Sequence, residues 1–86
     1  MPTLDRARFT IDYVESATED TESTGSLAYL PQAFDVRDQA RRWWRAATDA
    51  GLAGDHEALA LAVAELDLLA ERAAKIATEA RTRVMH

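Results

Sequence analysis

The sequence predicts a mainly α-helical protein: an antiparallel helical hairpin with a long second helix, preceded by an extended N-terminal arm. Three observations predict it. Residues 55–84 carry an apolar stripe at helical spacing, with no Gly or Pro among them. A shorter stripe of the same spacing precedes them and is separated from them by the turn GLAGD. Residues 7–14 instead alternate apolar and polar side chains with a period of two, which is typical of a strand.

Length and charge limit the possible classes of protein. A chain of 86 residues forms one domain at most, and it buries only about 60–65% of its unfolded surface, so oligomerisation is a natural source of added stability. Cysteine is absent, which excludes disulfides and thiolate metal sites. The net charge is −5, and the whole deficit falls in residues 1–35 because residues 36–86 are neutral. Such an acidic chain is a poor general binder of phosphates.

The first 34 residues are predicted to form the arm. Residues 7–14 are its short strand, which has aromatic and β-branched residues on one side. Residues 15–26 are acidic and rich in Ser and Thr, which indicates a solvated linker. Residues 27–34 are apolar again, and we expect them to be an ordered lead-in that packs on the helices and that can include a helical turn starting at Pro31. Pro31 biases the residue before it away from helix.

The first predicted helix covers residues 36–50 and opens the hairpin of residues 35–86. Asp35 is a suitable N-cap, and Gly51 is suited to the left-handed position that ends a helix. One face of this helix is apolar. Its members are Val36, Ala40, Trp43, Ala47 and Ala50.

The second predicted helix covers residues 55–84, with Asp55 as its N-cap. A heptad pattern predicts which of its residues face the core. Those residues are Leu59, Ala62, Leu66, Leu69, Ala73, Ile76, Ala80 and Arg83. Leu61 and Leu68 break the pattern, since they lie about 160–180° from the main stripe.

The two predicted helices differ in length by a factor of two. The first spans roughly 22 Å and the second roughly 43 Å, so the first covers only half of the second. The uncovered C-terminal half and the extra leucines predict a further contact. The arm can supply one cover, and a second copy of the chain can supply another by pairing two hairpins into a four-helix bundle.

Residues suited to catalysis or metal binding do not form a constellation. His56 lies between two acids, but adjacent helical residues point about 100° apart and do not converge on one ion, and His86 is the last residue. The glycines form no phosphate-binding loop. We therefore expect no enzyme activity, no cofactor and no metal. The N-terminus has no apolar core and no segment is long and apolar enough to span a membrane, so we expect a cytoplasmic protein with no membrane partner.

The most distinctive local feature is the basic aromatic cluster RDQARRWWR. Arg37, Arg41 and Arg45 follow one side of the first predicted helix, with Trp44 beside them. One interpretation puts Trp43 in the core, leaves Trp44 half-buried under a cation–π contact with Arg41, and has the arginines solvated or paired with the acidic arm. A second makes the cluster a protein-binding hot spot, since Trp and Arg are enriched there. A third lays the helix on a nucleic acid, with an indole stacking on a base.

The sequence thus favours a non-enzymatic protein-interaction module, acting as an adaptor, an inhibitor or an antitoxin-like regulator. The alternatives are a dimeric nucleic-acid-binding regulator that uses the Arg/Trp face, and an accessory subunit of a larger enzyme. The predicted partner-binding residues are Arg37, Arg41, Trp44, Arg45, Leu61 and Leu68.

Overall fold

A computed structural model describes residues 3–84, and in that range it contains three α-helices and no strand. The helices are α1 (Leu4–Ser23), α2 (Leu30–Ala53) and α3 (His56–Val84). They pack side by side into a narrow bundle that measures 48 × 19 × 14 Å. The prediction of a mainly helical protein is confirmed. The extended arm is wrong, because a third helix takes its place. Residue His86 lies outside the described range.

Helix α1 replaces the predicted strand of residues 7–14 and most of the predicted linker of residues 15–26. Thr3 is its N-cap, and the Thr3 hydroxyl accepts a hydrogen bond from the backbone N–H of Arg6 at 3.2 Å. Asp5 adds a favourable negative charge in the first turn. The helix runs to Ser23, so the acidic residues that indicated a solvated linker lie on helical surface instead.

The core face of α1 is a heptad stripe in which threonine replaces larger apolar residues. Thr18 and Thr21 are buried, and their hydroxyls donate to the carbonyls of Val14 (2.9 Å) and Ala17 (3.0 Å) on their own helix. Because these hydroxyls are satisfied within the helix, their burial does not leave a polar group unpaired. The stripe consists of Leu4, Ala7, Ile11, Val14, Thr18 and Thr21.

Helix α2 is longer at both ends than the predicted range of 36–50. It begins at Leu30 with Pro31 in its first turn, where a missing N–H and a fixed φ suit the helix. The helical turn expected at Pro31 is therefore present, but it is the first turn of α2 rather than part of a separate lead-in. Asp35 is not the N-cap. Gly51 is still helical, and the left-handed cap is Gly54, with φ of 70°.

Helix α3 matches the predicted range closely. The Asp55 carboxylate accepts a hydrogen bond from the backbone N–H of Ala58 at 3.1 Å, as an N-cap does. Of the eight residues assigned to the core by the heptad pattern, Arg83 is exposed, so the pattern is wrong in the last turn. The other seven are buried, and they are Leu59, Ala62, Leu66, Leu69, Ala73, Ile76 and Ala80.

The chain itself covers the length of α3. Helix α2 has 24 residues rather than 15, so it spans roughly 36 Å. Helix α1 runs parallel to α3, and Tyr13 and Ala17 lie beside Ala74 and Ala77 on its C-terminal half. The difference in length that motivated the dimeric four-helix bundle is therefore largely absent. Self-association stays a prediction without that support. Among the described residues, no helix combines the length and the apolar character needed to cross a membrane.

Candidate protein-binding surfaces

The basic aromatic cluster on α2 is engaged largely within the bundle. Arg41 donates from Nε and Nη2 to the two carboxylate oxygens of Glu15 on α1, at 2.6 and 2.9 Å. This bidentate contact joins α2 to α1. The hydrogen bond that Arg41 donates to Glu15 raises the pKa of Arg41 above its ordinary value, and desolvation opposes this shift. Arg41 thus has the pairing with the acidic segment that the first interpretation of the cluster predicted. The predicted cation–π contact with Trp44 is not found among the described residues, where Arg37 lies over Phe34 instead.

Other members of the cluster also have partners nearby. Arg37 donates to the Asp38 carboxylate at 3.1–3.2 Å, and its guanidinium lies 4.7 Å from the ring centroid of Phe34. Trp43 and Trp44 are half-buried and pack against the core. Arg45 is exposed. Within the cluster, the Arg41–Glu15 pair therefore belongs to the α1–α2 contact, whereas the contacts of Arg37 lie within α2 itself.

Leu61 and Leu68 form an exposed row on α3, which we call the leucine ridge. Each is 55% exposed. They are seven residues apart, so they lie within about 20° of each other around the helix, one above the other. Ala70 and Ala74, which face α1, lie about 120–180° away around α3. The ridge therefore points away from α1, and the Arg/Trp cluster on the α1 side of α2 does not form one surface with it.

A second surface, which sequence reasoning missed, is a groove between α1 and α3. We call it the aromatic groove. Phe9 and Tyr13 stand on its α1 side and are 66% and 46% exposed. The cleft has a volume of about 360 Å³. Its remaining lining residues are Arg6, Thr10, Asp67, Ala70, Glu71 and Ala74.

Polar contacts fix one end of the aromatic groove. The Thr10 hydroxyl has two acceptors within reach of its single hydrogen, the backbone carbonyl of Arg6 at 2.9 Å and the Asp67 carboxylate at 3.2 Å. The Arg6 guanidinium lies 3.3 Å from the same carboxylate. These contacts hold α1 and α3 in register where the groove begins. Towards the other end, Tyr13 and Ala74 also border a smaller cleft of about 110 Å³, so the two clefts are continuous.

The spacing of Phe9 and Tyr13 is the signal that could have revealed this groove. Residues four apart lie on one side of a strand and also on one face of a helix, so the same aromatic pair fits both structures. On α3, Ala70 and Ala74 have the matching spacing. Their position opposite the aromatics depends on the docking of α1, which the predicted strand did not provide.

The described part of the chain holds no group of three or more His, Asp or Glu side chains arranged to bind a metal ion. His56 is exposed at the start of α3. Comparisons of the chain with protein families, with curated proteins and with solved structures found no match.

Proposed function

We propose that this chain is a non-enzymatic protein-binding module that binds a partner protein through the leucine ridge of α3. The observation that carries the proposal is that Leu61 and Leu68 are both 55% exposed and lie one above the other on the same face. Aligned apolar side chains at this spacing are typical of a helix face that a partner covers. An adaptor, an inhibitor and an accessory subunit of an enzyme all bind in this way.

A partner that covers the leucine ridge would gain binding free energy by burying its exposed apolar surface. Full burial of one leucine contributes about 1.5–3 kcal/mol, so covering the exposed half of each contributes roughly 1 kcal/mol. Glu65 and Arg72 each follow a ridge leucine by four residues, and they therefore flank it on one side. Charged residues around an apolar centre give an interface its orientation.

The Arg/Trp cluster is not part of this contact. Arg41 and Arg37 are paired with carboxylates of the chain, and Trp44 is half-buried against the core. Arg45 is exposed on the outer face of α2, about 140–180° from the buried residues Val36, Ala40 and Ala47. The nucleic-acid-binding alternative is less favoured, because two of the arginines that would contact phosphates, Arg37 and Arg41, already have carboxylate partners.

The experiment is affinity capture from a lysate of the organism that encodes the chain. We compare the native chain with the double variant Leu61→Gln/Leu68→Gln. Glutamine preserves helix propensity and approximate size while removing the apolar surface. Leu52→Gln is the matched control, because Leu52 is 82% exposed but lies near the end of α2.

The proposal predicts one stoichiometric partner protein, retained by the native chain and by Leu52→Gln and lost by the double variant. Circular dichroism should show the same helix content in all three. If the double variant retained the partner protein as well as the native chain does, the leucine ridge would not be the binding surface. Finding no stoichiometric partner at all would contradict the proposed function.

A further inference from the structure

We propose that the aromatic groove between α1 and α3 is a second binding site, which accepts one basic amphipathic helix of a partner protein. The site is separate from the leucine ridge, and the proposal does not depend on that ridge. It rests on the shape of the groove, on its exposed aromatic side chains and on the charges along its edges.

The shape of the groove suits a helix. Helices α1 and α3 run parallel, and a furrow between two parallel helices is where a further helix packs in a four-helix bundle. Phe9 and Tyr13 are four residues apart, as are Ala70 and Ala74, so both pairs repeat at about 6 Å along the axis. This repeat matches side chains four apart on an incoming helix. The small alanines allow that helix to approach closely.

The aromatic side chains give the groove an apolar wall. Phe9 is 66% exposed and Tyr13 is 46% exposed, although each has a ring whose burial is favourable. Large aromatic residues in a partly enclosed cleft are typical anchors of protein interfaces. The isolated exposed leucines at positions 27 and 52 are different, since neither lines this cleft.

The edges of the groove carry excess negative charge. Among the residues that line the two continuous clefts, Asp20, Asp67 and Glu71 are acidic and Arg6 and Arg81 are basic. Arg6 lies 3.3 Å from the Asp67 carboxylate, which offsets its charge. The potential along the groove therefore favours an incoming cation.

Two further acids extend this charge along α1. Asp5 and Asp12 are exposed, and they lie about 40° and about 60° from Phe9 around the helix. The exposed cation Arg8 lies about 100° from Phe9, farther from the groove than either acid, and it offsets part of their charge. Lys75 is the nearest additional cation on α3, but it lies beyond Glu71 and outside the lining. A partner helix with lysine or arginine beside its apolar face meets opposite charge on this flank. A second copy of the chain, with a net charge of −5, meets repulsion overall.

The test uses a designed peptide of about 18 residues, long enough for several helical turns, with leucines at helical spacing and lysines elsewhere. A matched peptide has glutamate in place of every lysine. Binding of each labelled peptide to the full chain is measured by fluorescence anisotropy, between about 0.05 and about 0.5 M salt. The lysine peptide should bind at least about tenfold more tightly at low salt, and the difference should shrink at high salt.

Variants of the chain locate the binding. Phe9→Ala/Tyr13→Ala should weaken binding of the lysine peptide by about tenfold or more, as expected for aromatic anchors. Leu27→Ala is the matched control, because Leu27 is 80% exposed in the α1–α2 connection and should leave binding unchanged. Glu71→Lys should weaken the lysine peptide and strengthen the glutamate peptide. Since it replaces an exposed residue, this variant also tests the proposal if the aromatic double variant loses helix content.

The same assay separates this site from the proposed function. Leu61→Gln/Leu68→Gln, which removes the leucine ridge, should leave peptide binding unchanged. Equal affinity for the two peptides at low salt, or an unchanged affinity after Phe9→Ala/Tyr13→Ala, would overturn the proposal. A dimer in sedimentation that the aromatic double variant dissociates would also overturn it, because the occupant would then be a second copy of the chain.

Discussion

Replacing Leu66 by alanine should destabilise the bundle more than any change on its surface. Leu66 is fully buried and is among the largest fully buried side chains. Removing three carbons forfeits about 2.4 kcal/mol of transfer free energy, and the cavity left behind adds to this loss. Many core positions around the bundle are alanine, which has no side-chain rotamer with which to fill a cavity. We therefore expect a loss of about 3–4 kcal/mol, within the usual range for Leu→Ala.

The assay is urea and thermal unfolding followed by far-ultraviolet circular dichroism. Single domains of this size lose about 4–8 °C in melting temperature per kcal/mol, so the variant should melt roughly 12–32 °C lower. Leu68→Ala is the control, since it makes the same change two residues along α3 at a side chain that is 55% exposed. Its loss should stay below about 1 kcal/mol.

A loss below about 1 kcal/mol for Leu66→Ala would refute the assignment of the core face of α3. Equal destabilisation by Leu68→Ala and Leu66→Ala would also refute the assignment of Leu66 to the core and Leu68 to the surface. In that case the ridge would be packed against another surface in the isolated chain. Together the two variants test the helix phase as well as the depth of burial.

Three further predictions concern the helix ends and the α1–α2 contact. A Cβ at Gly51 would lie 2.5 Å from Leu4 Cδ1. Gly51→Ala should therefore lower the free energy of unfolding of the native chain by up to about 2 kcal/mol. In a Leu4→Ala background, where the clash is removed and only helix propensity acts, it should raise the free energy of unfolding by up to about 1 kcal/mol. Equal effects in the two urea titrations would disprove the clash. Gly54→Ala should lower the free energy of unfolding by about 1 kcal/mol, because Gly54 has φ of 70°, a conformation that alanine adopts at a cost. Nothing lies within 4 Å of the added carbon, so no steric clash contributes. An unchanged thermal melt would argue against the left-handed cap. A double-mutant cycle of Glu15→Ala and Arg41→Ala should give a coupling of about 0.2–1 kcal/mol that falls in high salt, since both side chains are partly exposed; a larger, salt-independent value would contradict a surface ion pair.

Helix α3 was predictable because all of its signals agree. Asp55 supplies a cap, and the heptad pattern continues without Gly or Pro to its end. The start of α2 was harder to predict from the sequence. Pro31 restricts the residue before it and also suits a first helical turn, so one residue supports two opposite interpretations.

Helix α1 was missed because two patterns overlap in the same residues. Phe9, Ile11 and Tyr13 alternate as a strand does, and β-branched and aromatic residues strengthen that interpretation. The helical stripe was present at the same time, but Thr18 and Thr21 occupy two of its core positions. Threonine satisfies its hydroxyl with a carbonyl of its own helix, so its polarity does not forbid a core position.

Of the two candidate surfaces, one was predictable from the sequence and the other was not. The exposure of Leu61 and Leu68 follows from the helix phase of α3 alone, so the leucine ridge was predictable. The aromatic groove needs both α1 and its parallel docking on α3, which no local pattern specifies. The internal pairing of Arg41 also depends on that docking, because Glu15 reaches it from α1.

Amide hydrogen exchange of residues 7–21 measures whether α1 is docked, and a docked α1 completes the core and forms the aromatic groove. The amides of these residues should exchange slowly, with protection approaching that of the buried centre of α3. Exchange at the rate of a free peptide, while α2 and α3 remain protected, would show that α1 is not docked. The N-terminal segment would then be an undocked arm, and the groove between α1 and α3 would not exist.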